Sequence, residues 1–343
     1  MISLNINLEF QEDNNFSFFP PLQECLYENI TSIDLMECEF IRKLPGFRTP
    51  NLERLNLAGC GNLTEVHDNI GLLDKLKCWI LQDCEKLKIL PSNLNLKSLE
   101  YLSLRGCKRL EKFPQIHPEM NCLKKLHLCL GGTCIRKLPS SLRYLTSGLE
   151  SLFLPEIQNL DLSFAQYGFK SLIKLDLMYF GRNLVDLIIW LRPDYFPVLK
   201  TLRVSSFITG GPNTLYLPVV QNLDLSVSQY GFSSLTTLDL MHFKRNMGDL
   251  NIWLKPDLFP VLEILELSRS SIVTIPESIT TFTRLQFLNL CGCWRLQEIP
   301  RLPQSIVNLD ARGCGSLDLQ SSRRLLDQVS FYLSIIVTFL NYI

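Results

Sequence analysis

The residue types in this chain that most often do chemistry are its twelve cysteines and four histidines. Structural zinc sites hold pairs of cysteines two residues apart, with a second pair further along the chain. Cys291 and Cys293 have one residue between them, and no second close pair follows at the required distance. Cys122, Cys129 and Cys134 are too loosely spaced to form such a pair. The spacing therefore predicts neither a metal site nor a cofactor.

The histidines and carboxylates do not form a catalytic pattern either. The sequence contains no H-E-x-x-H or G-x-S-x-G motif, no paired carboxylates and no G-x-x-x-x-G-K-[ST] loop for nucleotide phosphates. We expect His67 to be structural or exposed, and His127 to be a surface residue that could contact a ligand. The sequence therefore predicts a binding protein with no catalytic residues rather than an enzyme.

The overall charge is balanced, with 34 Lys and Arg against 34 Asp and Glu. A chain without net charge gives no electrostatic reason to expect nucleic acid or an anionic membrane as a partner. The N-terminus does not resemble a secretion signal, so the cysteines predict free thiols and a cytoplasmic location, which is also compatible with the nucleus. The apolar residues 331–343 are fewer than the roughly 20 that span a membrane, so no membrane span is expected.

Many of the cysteines belong to a repeated pattern, L-x-x-L-x-L-x-x-C. One copy consists of Leu52, Leu55, Leu57 and Cys60, and copies recur mostly at intervals of roughly 21 to 27 residues, as leucine-rich repeats do. Copies that keep the cysteine begin at Ile30, Leu52, Leu76, Leu99, Leu285 and Ile306. Copies without it begin at Leu123, Leu149, Leu172, Leu199, Leu235 and Leu262. A dozen copies indicate a solenoid built from stacked coils, one coil per repeat.

The repeat has a direct physical interpretation. The L-x-L core predicts a short strand whose leucines point inward while the intervening residues point outward. The cysteine provides a small side chain for a buried corner, and Leu-Pro steps such as Leu44-Pro45 and Leu90-Pro91 stop regular structure on the far side. We therefore expect an α/β solenoid: a leucine-rich-repeat horseshoe with a concave parallel β-sheet and a mostly irregular or 3₁₀ convex side.

The predicted organisation has three parts. Residues 1–29 form an N-terminal flank or cap, residues 30–317 form about 12 repeats, and residues 318–343 form an apolar C-terminal tail. Within the repeats, 158–202 recurs as 221–265, offset by 63 residues. Trp190 and Trp253 recur in this duplication and are expected to pack in the core or on the convex side.

The outward strand positions are the candidate partner contacts, because the leucines alone hold the fold and leave this face free to vary. Binding energy at such faces usually comes from a few aromatic or arginine anchors. The strand alternation, with the turn residues that follow, gives these candidates: Arg54, Asn56, Tyr101, Ser103, Arg105, Lys125, His127, Lys174, Asp176, Arg203, Asp239, Glu266, Phe287, Asn289, Asp310 and Arg312.

Several phrases go beyond a generic repeat, among them LNLAGCGNLTEVHDNIGLLDKL and LNLCGCWRLQEIPRLPQSIVNLDARGCGSL. They resemble the repeat region of plant intracellular disease-resistance receptors of the TIR, nucleotide-binding, leucine-rich-repeat class. The resemblance implies recognition of a pathogen effector or a host protein in innate immunity. The TIR and nucleotide-binding modules of that class have no counterpart here, so the chain resembles a truncated receptor fragment. The partners implied are an effector, its host target or a full-length receptor.

Two other functions remain open at this point. The ectodomain of a cell-surface leucine-rich-repeat receptor is one, although such ectodomains usually carry Asn at the cysteine position and an L-x-G-x-I-P convex half. A protein-interaction scaffold outside immunity is the other. Glycans on Asn29 or Asn62 would favour the ectodomain.

Overall fold

The computed structural model describes residues 2–5, 28–46, 48–154, 161–178, 192–205, 231–242, 250 and 254–330. The chain divides into two compact units, Met1–Leu172 and Ile173–Ile343. Each unit is a stack of coils in which successive strands pair in parallel. Trp190 and Trp253 lie outside the described residues, so their predicted packing remains a prediction.

Among its described residues, the first unit contributes seven strands to the parallel sheet. They are β1 (Ile2–Asn5), β2 (Ile30–Asp34), β4 (Arg54–Asn56), β6 (Cys78–Ile80), β8 (Tyr101–Ser103), β10 (Lys125–Cys129) and β11 (Ser151–Phe153). On the far side of the coils, β3 (Lys43–Leu44) pairs with β5 (Glu65–Val66), and β7 (Asn93–Leu94) pairs with β9 (Gln115–Ile116). The pairing of β1 with β2 begins the sheet ahead of the first predicted repeat.

The leucine positions form continuous apolar columns through the first unit. Ile33, Leu55, Trp79 and Leu102 face one another in the strand register, and none is more than 1% exposed. Each fully buried side chain of this size contributes about 1.5–3 kcal/mol. Because every coil covers the apolar side of the next, the periodic leucines are sufficient to specify the stack, as the sequence predicts.

The cysteine positions form a second column at the corner where each strand ends. The Sγ atoms of Cys60, Cys84 and Cys107 each donate a hydrogen bond of 3.1 Å to a carbonyl of the preceding coil. The residue before each cysteine turns the chain with a positive φ, and Asp83 does so at 59°. Thr133 and Ser270 occupy the same corner in coils without a cysteine, and each hydroxyl donates to a carbonyl three residues earlier. The column thus consists of small hydrogen-bonding side chains, which explains the repeated cysteines without a metal.

Among its described residues, the second unit contains six parallel strands and a helix. The strands are β12 (Lys174–Met178), β13 (Thr201–Ser205), β14 (Thr237–Asp239), β15 (Ile264–Glu266), β16 (Phe287–Asn289) and β17 (Asn308–Asp310). The helix α1 (Leu319–Ser330) begins after Asp318, whose carboxylate accepts the amide of Ser321 at 2.5 Å. Leu325 is buried, and the Ser321 hydroxyl accepts the amide of Ile299 at 3.1 Å. The first part of the predicted tail is therefore a helix packed on the last coils.

The side of the coils away from the sheet carries 3₁₀ turns. They span Asp68–Leu72, Pro118–Cys122, Ser140–Leu145, Leu162–Tyr167, Pro193–Tyr195 and Glu277–Thr281. Two of the four histidines begin such turns: the side chain of His67 accepts the amide of Asn69, and that of His117 accepts the amide of Glu119. These histidines are structural caps, and the convex side has the irregular and 3₁₀ character that the sequence predicts. No helix within the described ranges is long and apolar enough to cross a bilayer.

Candidate functional site

The sheet face is defined here as the surface formed by strand side chains that point away from the leucine columns, together with the turn residues just after the strands. In the first unit this face carries Arg54, Arg105 and Lys125, which are exposed, and Tyr101 and His127, which are half-buried. These five predicted contacts are therefore accessible to a partner.

Two other predicted contacts in the first unit are not accessible. Asn56 is 6% exposed and Ser103 is 1% exposed. The Asn56 amide donates to the carboxylate of Asp34 at 3.0 Å, and its Oδ1 accepts the amide of Ala58 at 3.1 Å. Ser103 hydrogen-bonds the neighbouring Tyr101 side chain. Neighbouring groups already use the polar atoms of both residues, and a role of either residue in contacting a partner stays a prediction.

The strand β10 departs from the alignment that the repeat predicts. On one side Leu128 lies opposite Leu102, but on the other side Leu126 lies opposite Leu152, a shift of two residues. The coil accommodates this shift with one more buried leucine, Leu130, so that Thr133 rather than residue 131 reaches the cysteine corner. As a result His127 is paired with an aromatic residue on both sides.

Tyr101, His127 and Phe153 form what we call the aromatic cluster. The ring of His127 lies edge-on to Tyr101, with centroids 4.7 Å apart, and edge-on to Phe153, with centroids 4.0 Å apart. Burial lowers the pKa of His127, which favours the neutral imidazole, so the cluster is largely apolar. Phe153 is absent from the predicted contacts, although its position in Leu152-Phe153-Leu154 follows the same alternation as the residues among them.

On the sheet face of the second unit, one arginine pairs with two carboxylates within the sheet. Arg203 lies between two carboxylates: its Nε donates to Asp239 at 2.5 Å, and its Nη1 lies 3.4 Å from Asp176. Asp176 is 1% exposed and Asp239 is 5% exposed, so both carboxylates are largely covered, and their role as partner contacts stays a prediction. Burial raises the pKa of Asp176 to about 6, while the Arg203 guanidinium opposes that shift. The three residues form an internal ion-pair network.

Most of the remaining predicted contacts of the second unit form hydrogen bonds to the backbone at the ends of their strands. Glu266, Asn289 and Asp310 each accept a backbone amide two residues further on, at 3.0, 2.9 and 3.1 Å. Arg312 is exposed and donates to Asp310 at 2.6 Å, which lowers the pKa of that carboxyl. Side chains of this type compete for backbone amides and so favour a turn at the end of the strand. Lys174 is exposed and Phe287 is half-buried.

The side chains on the sheet face of the first unit are of the types that bind other proteins. Across the described ranges, no three His, Cys, Asp or Glu side chains come close enough together to hold a metal ion. The first unit instead presents the aromatic cluster with cationic side chains nearby. Aromatic rings and arginines are the side chains that most often carry binding energy at protein interfaces.

Comparisons with known proteins identify plant relatives. No protein-family model matches the chain. It is 30% identical over 302 residues to TMV resistance protein N of Nicotiana glutinosa, covering 82% of this chain and 25% of that protein. It is 31% identical over 306 residues to disease resistance-like protein DSC1 of Arabidopsis thaliana, covering 83% and 24% respectively. The chain thus spans about a quarter of the length of these relatives.

Solved structures with similar folds are more distant in sequence. An internalin from Listeria monocytogenes shares 17% identity and a TM-score of 0.40, with 89% of this chain and 88% of that chain covered. The leucine-rich-repeat protein LIC12759 of Leptospira interrogans shares 17% identity and a TM-score of 0.34, with 93% and 97% covered.

Proposed function

Because this chain is homologous to plant disease-resistance proteins of the TIR, nucleotide-binding, leucine-rich-repeat class, we propose that its repeats recognise a protein partner in plant innate immunity. The partner is a pathogen effector, a host protein or a full-length receptor of the same class. The chain acts by binding and carries out no reaction of its own. The observation that carries this proposal is the accessible aromatic cluster on the sheet face of the first unit.

The cluster has the properties of an interface anchor. Its three rings are held by the strands β8, β10 and β11 rather than by loops, so little side-chain entropy is lost when a partner binds. Arg54, Arg105 and Lys125 add exposed positive charge to the same face. On the second unit, by contrast, Arg203 is already engaged by two carboxylates. We therefore place the centre of the interface at the aromatic cluster.

The proposal includes a cytoplasmic location. Ten cysteines among the described residues are free thiols, and six of them are buried. Reduced thiols in this number are typical of proteins that remain in the cytosol.

The experiment is a binding screen followed by matched variants. The whole chain is tested for saturable binding to a panel of pathogen effectors and intact receptors of the same class. Lys125→Glu and Phe153→Ser are each expected to weaken the affinity for a genuine partner by about ten-fold or more, which corresponds to roughly 1.4 kcal/mol. Lys174→Glu, which makes the same charge change on the second unit, is the control and should leave affinity within about two-fold.

Two results would contradict this proposal. One is a correctly folded chain that binds no member of the panel in a saturable manner. The other is a partner whose affinity falls equally in Lys125→Glu and Lys174→Glu, because that would locate the interface away from the aromatic cluster. Circular dichroism of each variant separates lost binding from lost folding, and Lys125 is suited to this test because its side chain is exposed.

A further inference from the structure

A surface depression lined by cations lies outside the sheet face. It is formed by the flank of the stack, which consists of the residues that come just after the turn in each coil, and it involves two neighbouring coils. Its lining consists of Lys88, Lys108, Arg109, Glu111 and Lys112, and its volume is about 520 Å³. A volume in this range is typical of pockets for small molecules. Four cations and one carboxylate line a single recess in a chain whose net charge is zero.

The depression is the centre of a wider basic flank in the first unit. In each coil the residues just after the turn occupy equivalent positions, and backbone hydrogen bonds such as Lys88 N to Thr64 O stack them on one another. The exposed cations at these positions are Arg42, Lys43, Lys86, Lys88, Lys108, Arg109, Lys112, Arg136 and Lys137. The carboxylates are Glu39, Glu65, Glu85 and Glu111. The flank therefore carries an excess of positive charge.

Most of the cations in the depression are not neutralised by the protein. Lys108 pairs with Glu85 at 2.6 Å, and this contact raises the pKa of the lysine. Within the part of the chain that the structure describes, Lys88, Arg109 and Lys112 form no ion pair. Like charges held close together repel one another, and an anion bound between them relieves that repulsion.

The repeat architecture alone does not produce this charge. In the second unit the residues that follow the turns are Ser271, Val273 and Thr274 in one coil, and Trp294, Arg295, Gln297 and Glu298 in the next, so a single cation lies among them. Those coils keep the same core leucines and the same corner residues, Ser270 and Cys293. The cations are therefore a property of particular coils, and they could be removed without altering the repeat.

From this arrangement we propose that the depression binds a multiply phosphorylated small molecule such as an inositol polyphosphate, either free or as a lipid headgroup. The Arg109 guanidinium can bind a phosphate through two parallel N–H donors, and the lysines provide point charges for the others. A singly charged anion would leave most of the positive charge uncompensated, because only a ligand with several phosphates matches several cations. This site is independent of the protein interface on the sheet face.

The test measures binding of inositol hexakisphosphate to the whole chain by titration calorimetry. The triple variant Lys88→Ser, Arg109→Ser, Lys112→Ser should weaken binding by at least about ten-fold, because it removes charge-assisted hydrogen bonds. The control is Arg284→Ser, Arg295→Ser, Arg301→Ser, which removes the same charge from exposed positions of the second unit. It should leave the affinity within about two-fold.

Further experiments identify the source of the phosphates, and some of their results would overturn the proposal. Flotation with phosphatidylcholine vesicles containing phosphatidylinositol 4,5-bisphosphate shows whether a membrane headgroup is bound as well as the free molecule, and either result supports the proposal. The proposal is overturned if neither probe binds. It is also overturned if the two triple variants lose affinity equally, because that would indicate a diffuse electrostatic attraction. A single-stranded RNA that binds more tightly than either probe, through the same three residues, would replace it with a nucleic-acid site.

Discussion

At the scale of single residues, the cysteines illustrate how a reactive side chain is made inert by its surroundings. Burial raises the pKa of Cys60 and of Cys107 to about 12, and each Sγ is engaged as a hydrogen-bond donor to the preceding coil. The thiolate is the reactive form of cysteine. These residues therefore stabilise the corner of the coil and are unavailable for redox or metal chemistry in the folded state.

This difference in environment predicts selective alkylation. With iodoacetamide at pH 8, the exposed Cys134 should be labelled within minutes, while Cys60 and Cys107 should react only when the coil opens. A thiol with a pKa near 12 is ionised in only about one molecule in 10,000 at pH 8. Peptide mass spectrometry measures the rates, and chain unfolded in urea is the control. Equal labelling of Cys60 and Cys134 in the folded protein would contradict the prediction.

Asp176 predicts a specific pH dependence of stability. Its pKa is raised by burial to about 6 in the folded state, so between roughly pH 4 and pH 6 the folded chain binds more protons than the unfolded chain. Its contribution to the free energy of unfolding therefore falls as the pH rises through that window. Asp176→Asn removes the buried charge, and the stability of the variant relative to the parent protein should be higher at pH 7.5 than at pH 4.5.

Urea denaturation at the two pH values measures this effect. Asp310→Asn is the matched control, because Arg312 lowers the pKa of Asp310 and its stabilising contribution is lost only as the pH falls below about 4. Asp310→Asn should therefore cost about the same stability at pH 7.5 as at pH 4.5. If both variants show the same pH trend, the assigned role of Asp176 burial is wrong.

At the scale of elements, one connection between coils brings the backbones of two neighbouring coils into close contact. A Cβ built on Gly148, which follows the 3₁₀ turn Ser140–Leu145, would overlap the carbonyl oxygen of Asn121 in the preceding coil. This contact involves backbone on both sides, so a side-chain rotation cannot relieve it. The close approach lets Glu150 and Ser151 donate their amides to Lys124 and bring β11 alongside β10.

Gly148→Ala is therefore expected to destabilise the protein. Overpacking of this kind costs about 1–3 kcal/mol, and the change should appear as a lower midpoint in urea denaturation. Gly315→Ala is the control, because nothing lies within 4 Å of a Cβ at that position. The control should stay within about 0.5 kcal/mol of the parent. Equal stability of the two variants would show that the coils move apart without a cost in free energy, which would contradict the prediction.

At the scale of the whole molecule, each coil buries its leucines mainly against its immediate neighbours. Strand pairs run in sequence order within each unit, so contacts are local along the stack. The stability of such repeats is approximately a sum of single-coil terms and nearest-neighbour terms. A destabilising substitution in one coil should therefore lower the stability of nearby coils more than that of distant ones.

Leu55→Ala tests this expectation in the first unit. Leu55 is fully buried, and removing it should cost about 2–5 kcal/mol. Hydrogen–deuterium exchange read by mass spectrometry should show the largest loss of protection in β2, β4 and β6, with a smaller loss in β11. A uniform loss across the whole unit would instead indicate one cooperative fold, in conflict with the nearest-neighbour description.

The sequence by itself determined the coil. The spacing of the leucines places a strand, a corner and a far-side turn within one repeat. Residues such as Leu55 and Cys60 lie where this spacing predicts, because each coil is built from residues close together in the chain. The resemblance of the repeat phrases to plant resistance proteins was likewise contained in the sequence.

Only the tertiary structure decided which outward residues are free. Asn56 is covered by a residue 22 positions away, and Asp239 by one 36 positions away. The aromatic cluster exists because β10 shifts its register by two residues between its neighbours. Such features depend on how separate coils stand side by side, and a pattern read within one repeat does not contain that information.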